Sequence, residues 1–143
     1  MIRTIQSQQK PIIGYKTGAI VRKGQLLMLS GGYAIPSTEG TASAIMLGLA
    51  AEDAASGATC LVYSLDQLFE FDLYQGSSID VATEAMKGTA YDIFVDGAAG
   101  DTAAEGEMYL DLNDTTAAFI ILTSFDNDRR VAVGQVLESV RYI

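Results

Sequence analysis

Two short clusters, Asp111-Leu-Asn-Asp114 and Asp126-Asn-Asp128, gather carboxylate and amide oxygens at the spacing calcium loops use. Neither continues with the glycine and distal glutamate that complete an EF-hand loop. Turn formation through side-chain to backbone bonds is the simpler role for both. Glu105 and Glu107 resemble an acid/base pair, but they border a small-residue, glycine-punctuated stretch at 96–106 that would hold neither at a working distance. Ser30 precedes Gly31 and Gly32, which is a hairpin signal. The chain contains no His, so the commonest base that activates a serine is absent. Gly14, Gly18, Gly31 and Gly32 build no phosphate loop, because no Lys-Ser/Thr pair and helix follow them. Cys60, the single cysteine, lies in the apolar run Thr59-Cys-Leu-Val-Tyr63 and reads as a small buried hydrophobe. Asn113-Asp-Thr115 matches a glycosylation sequon, which matters only in a secreted protein. The sequence therefore assigns no catalytic residue, no cofactor site, no metal ligand and no small-molecule substrate.

The elements around these residues are strands. Apolar runs at residues 12–15, 19–21, 26–29, 33–35, 45–50, 59–64 and 68–73 are separated by Gly14, Gly18, Gly24, Gly31, Gly32, Gly40 and Gly57. Further runs occupy 91–95, 108–112, 118–125 and 130–136. Short strands at this spacing with glycine turns predict an all-β sandwich or barrel. Alternation is clearest where Phe69, Phe71 and Leu73 interleave with Glu70 and Asp72, placing aromatics inward and acids outward. Residues 119–122 are apolar on both faces, which suits a central strand or one covered by a neighbouring subunit. A single helix over 78–87 is expected, from Ser78 as cap to Gly88 as stop. Residues 96–106 should form a hairpin tip. Residues 1–11, polar and ending at Pro11, read as an extended N-terminal arm, ordered only against a partner. Residues 12–143 then form a single β-rich domain, with sub-lobes at 12–75 and 76–143 left open.

Charge is divided along the chain. Residues 1–38 carry Arg3, Lys10, Lys16, Arg22 and Lys23 and no acid, whereas all 18 acids and the other four cations follow, so segments of +5 and −14 make the net −9. An acidic body repels nucleic acid, while a basic first segment suits an acidic protein surface. Tyr63, Phe69, Phe71, Tyr91 and Phe94 lie in the acidic part, so they are expected to pack a core and not to stack on bases. The first ten residues show no signal-peptide pattern, and no apolar run reaches the ~20 residues of a membrane span. A soluble product made in the cytoplasm, without membrane contact, is the expectation.

Three segments carry a resemblance. Val21-Arg-Lys-Gly-Gln-Leu-Leu-Met-Leu29 is a glycine turn feeding an apolar strand. Residues 45–57, Ile45-Met-Leu-Gly-Leu-Ala-Ala-Glu-Asp-Ala-Ala-Ser-Gly57, give strand and turn. Residues 126–136, Asp126-Asn-Asp-Arg-Arg-Val-Ala-Val-Gly-Gln-Val136, give turn and closing strand. Together they resemble the small β-rich decoration, or cement, proteins of tailed-bacteriophage heads. Biotinyl-type carriers share the glycine turn, but Ala85-Met-Lys-Gly88 lacks the second methionine of their Met-Lys-Met motif.

The resemblance implies a β-barrel or β-tulip-like domain, a homotrimer on the outer surface of the virion, clamping neighbouring major capsid subunits without adding chemistry. An N-terminal arm reaching over a capsid subunit is a device of that family, which makes Ile2, Arg3, Ile5, Lys10, Ile12 and Lys16 the expected capsid contacts. Phe119, Ile120, Ile121 and Leu122 are the expected oligomer interface. The alternatives are another virion structural protein, in the tail or fibre base, and a host-surface or glycan-binding module. The latter calls for exposed aromatic pairs, and none is evident in the sequence.

Overall fold

Phe69 and Phe71 are fully buried while Glu70 and Asp72 stay half-exposed, so the alternation read from the sequence sets one face of a strand. That strand belongs to an all-β molecule of two antiparallel sheets, seen in a computed structural model that describes residues 1–5, 13–40, 45–76, 78–96 and 106–141. Eleven strands follow in chain order: β1 (Ile2–Thr4), β2 (Ile13–Lys16), β3 (Leu26–Ser30), β4 (Tyr33–Pro36), β5 (Met46–Ala50), β6 (Thr59–Tyr63), β7 (Phe69–Asp72), β8 (Ala90–Asp96), β9 (Glu107–Asp111), β10 (Ile120–Asp126) and β11 (Val131–Val136). A six-stranded sheet runs β1-β7-β11-β10-β8-β9, and a five-stranded sheet runs β2-β6-β5-β3-β4.

Both sheets curl towards closure. In the larger sheet Leu73 pairs in parallel with Leu110, and the Tyr74 amide donates to the Leu110 carbonyl at 2.9 Å. In the smaller sheet Thr17 pairs with Ala34, and the Gly18 amide donates to the Ala34 carbonyl at 2.9 Å. The fold is thus β-rich and partly barrel-like.

Turn chemistry explains the hairpins. Ser30 pairs with Tyr33, and the two residues between them, Gly31 and Gly32, have φ of 57° and 88°. Positive φ at both central positions gives the twist that suits a two-residue hairpin, and glycine adopts it at no steric cost. The β10–β11 turn is built by Asp126, whose carboxylate accepts the Asp128 amide at 3.1 Å.

β5 is buried along its whole length because it is central in its sheet and covered on both faces. Leu26, Met46 and Leu49 join a core shared with Phe69, Phe71, Ile93, Leu110, Phe119 and Ile120 of the larger sheet. Leu27, Leu47, Ala50, Cys60 and Val62 form a second core inside the curl of the smaller sheet. β5 feeds both cores, and a register shift between Leu27 and Met28 accompanies the placing of Met46 and Leu49 in one and Leu47 and Ala50 in the other. Gly48 makes this approach feasible, since a Cβ there would lie 2.4 Å from the Tyr63 carbonyl oxygen.

Several expectations are corrected. Residues 1–5 are not a free arm: β1 pairs with β7, and Ile2, 1% exposed, sits in the shared core. The reason is its register opposite Phe71, which buries an isoleucine that a polar segment seemed to leave in solvent. Of the expected helix over 78–87 there is only a single 3₁₀ turn at Glu84–Met86, without a side-chain cap. Residues 19–21 form no strand but contribute one bridge, Val21 to Ala54. The sub-lobe boundary also differs, since β7 joins the larger sheet while β2 to β6 make the smaller one. β8 and β9 do form a hairpin, with Asp96 opposite Glu107; its tip at 97–105 lies outside the described residues.

Candidate interaction surface

The side chains that first suggested chemistry are spent on structure. Asp111 accepts the Asn113 amide at 3.0 Å and Asp114 accepts the Thr116 amide at 2.9 Å, both local turns. Asn127 reaches across to Ala82, accepting its amide and donating to its carbonyl, each at 2.9 Å. Glu107 lies 3.5 Å from the N-terminal ammonium, and Glu105 falls outside the described residues. Cys60 is fully buried in the smaller core, and burial pushes its thiol pKa up, away from reactivity. Among the described residues no group of three or more His, Cys, Asp or Glu side chains converges as a metal site would.

Asp92 was missed by the sequence reading. It is 1% exposed, accepts the Gly40 amide at 2.6 Å and the Ile93 amide at 2.8 Å, and no cation pairs with it among the described residues. Burial raises its pKa to about 6, assisted by the nearby negative charges of Asp114 and Glu39 and opposed by the two amide bonds. Tyr91, Asp92 and Ile93 are consecutive and all buried, so β8 departs here from the alternation that would mark Asp92 from sequence. Glu39 accepts the Val95 amide at 3.1 Å, so the segment after β4 is tied to β8 by two carboxylates.

The expected contact residues are scattered. Arg3 is held by Glu70 at 2.8 Å and Asp72 at 2.7 Å across the β1–β7 pair. These bonds, led by the one to Asp72, raise the Arg3 pKa. Burial alone would raise Asp72, but Arg3 and the N-terminal ammonium outweigh it and hold that carboxyl below its usual value. Ile2 is therefore core, and Arg3 is tied to β7 with its side chain still 34% exposed. Ile5 and Lys16 are exposed, while Lys10 and Ile12 lie outside the described residues. Phe119, Ile120 and Leu122 are fully buried within the single chain, with β10 lying between β11 and β8. These three are core, not an oligomer interface, because the larger sheet curls around them. Ile121 points the other way and is half-buried.

Met1, Ile5, Leu68, Ile79 and Val81 are exposed elsewhere, and a further group lies on the smaller sheet and the loops around it. Ile13, Ile20, Tyr33 and Leu61 are exposed there, as are Lys16, Arg22 and Lys23. Those three cations make no ion pair among the described residues, whereas Arg3, Lys87, Arg129 and Arg141 each lie against an acid. A groove of about 460 Å³ opens where the curl of the smaller sheet meets the C-terminal segment. Ile13, Tyr15, Leu47 and Val62 line its apolar wall, with Asp66 and Arg141 at the rim. Such a groove can take an apolar side chain, with Ser64, Asp66, Glu138 and Arg141 as its polar lining.

The aromatic side chains hold one surprise. Tyr74 and Phe94, far apart in sequence, stack at 3.8 Å between ring centroids, with Tyr109 tilted against Tyr74 at 6.3 Å. All three are half-buried, and burial pushes the Tyr109 pKa up to about 12, helped by Glu107. No helix among the described residues is long and apolar enough to cross a membrane. No family model matches the chain, and no curated protein matches it in sequence.

Proposed function

We propose that this protein is a structural component of a phage particle, a decoration protein that binds the outside of the head and holds neighbouring major capsid subunits together. The observation that carries this reading is the surface of the smaller sheet. It presents apolar side chains beside cations that have no internal acid partner, on a molecule of net charge −9. Such a surface suits binding and not turnover, because apolar area and unpaired charge lower free energy only when a partner covers them. The three motif segments that resemble the cement proteins support it further, since β3, β5 and β11 are built from them. A homotrimer belongs to the same proposal, as three weak contacts per particle site add up to firm attachment.

Quantitative mass spectrometry of purified virions tests the reading. A copy number near that of the major capsid protein is the expected result. A handful of copies would move the protein to the tail or fibre base, and absence from particles would refute a virion role.

A further inference from the structure

The segment entering β3 projects three side chains from a fixed backbone. Ile20 is 66% exposed, the most exposed of the large hydrophobic side chains described, and Arg22 and Lys23 stand beside it in solvent. Beneath them Val21 is fully buried and exchanges backbone bonds with Ala54 at 2.9 and 2.8 Å. The Arg22 amide donates to Gln25 Oε1 at 2.9 Å, the Lys23 amide to Asp53 Oδ1 at 2.8 Å, and the Gly24 amide to the Ala50 carbonyl at 3.0 Å. Gln25 in turn donates to the Gly106 carbonyl at 2.8 Å, so the turn is also tied to the larger sheet.

We infer that residues 20–23 form a docking element for an acidic protein surface, with Ile20 as apolar anchor and Arg22 and Lys23 as charge contacts. Resting on the proposed decoration role, this surface belongs to the major capsid subunit. The argument is charge complementarity. An acidic partner is repelled by most of a molecule of net charge −9, and is attracted where cations lack internal partners. Asp53, the acid next to the turn, already accepts the Lys23 amide, and neither cation side chain pairs with it. A backbone fixed in advance loses little conformational entropy on binding, which favours this turn over a flexible segment of equal charge. Nucleic acid fits poorly, because two cations neutralise too few phosphates to offset the acidic body.

Co-sedimentation with purified phage heads lacking this protein, across a salt series, tests the assignment. Wild-type protein should bind, more weakly as salt rises. Arg22→Glu with Lys23→Glu should lose affinity on the order of tenfold or more, and Ile20→Asp should lose a similar amount. Arg22→Ala with Lys23→Ala should bind with an intermediate affinity and a shallower salt dependence. Lys87→Glu, which alters charge elsewhere, should bind as wild type. Unchanged circular dichroism and melting temperature would show that each variant is folded. Full binding by the charge-reversed variant overturns the inference while leaving the decoration role intact. Failure of the wild type to sediment with heads removes the role and this partner together. Loss of self-association by the same variants, with head binding kept, assigns the turn to contacts between copies and also overturns it.

Discussion

Asp92 is the buried charged side chain among those described, and its position explains a pH dependence that composition would not suggest. Its folded pKa of about 6 lies above its ordinary value of 3.8, so the folded state holds the proton more tightly than the unfolded chain. Protonation at this site therefore stabilises the fold fully below the unfolded pKa, and that contribution fades as pH rises through about 6. Asp72 acts with the opposite sign. Its carboxyl is depressed, so the stability it adds is present above its ordinary value of 3.8 and is lost as pH falls below it. Denaturant unfolding between pH 4 and 7 should show wild-type stability declining across the Asp92 window by on the order of 2–3 kcal/mol. Asp92→Asn should flatten that decline, and an unchanged slope would rule out Asp92 as its source.

The strands that matter most are those whose role changed between sequence and structure. β1 completes one edge of the larger sheet, with Ile2 opposite Phe71 and Arg3 opposite Glu70. Ile2→Ala should cost about 2–4 kcal/mol, since a buried branched side chain leaves a cavity behind. Deleting residues 1–5 should cost more, through the lost strand pairing and the unpaired Glu70 and Asp72, and a truncated protein with unchanged melting temperature would contradict this. β10 offers a sharper test because adjacent residues face opposite ways. Ile120→Asp should destabilise by about 3–5 kcal/mol, as an uncompensated charge would be buried. Ile121→Lys should stay within about 1 kcal/mol, because a long side chain can carry its charge from a half-buried position to water. Equal effects at both positions, measured by thermal unfolding, would argue against the observed facing of the strand.

The two sheets form one mechanical unit. The shared core draws Leu26, Met46 and Leu49 from the smaller sheet and Phe69, Phe71 and Leu110 from the larger. Polar ties reinforce it, from Gln25 to Gly106, from Gly40 to Asp92 and from Val95 to Glu39. Unfolding should thus be a single cooperative transition, with near- and far-ultraviolet circular dichroism melting together. Two separate transitions would mean that the sheets fold independently.

The sequence by itself determined the β class, the hairpin at Gly31 and Gly32 and the inward face of β7. Each of these follows from periodicity or turn chemistry within a few residues. It also placed Cys60 and Phe119 in apolar runs that the fold buries. Only the tertiary structure decided that Ile2 is core, that Asp92 is buried, that Tyr74 meets Phe94, and that Arg3 is paired while Arg22 and Lys23 are not. The physical reason is range. Strand pairing joins Ile2 to Phe71, and a side-chain hydrogen bond joins Glu39 to Val95, across tens of residues; burial or pairing is settled by which segment arrives opposite, not by local pattern.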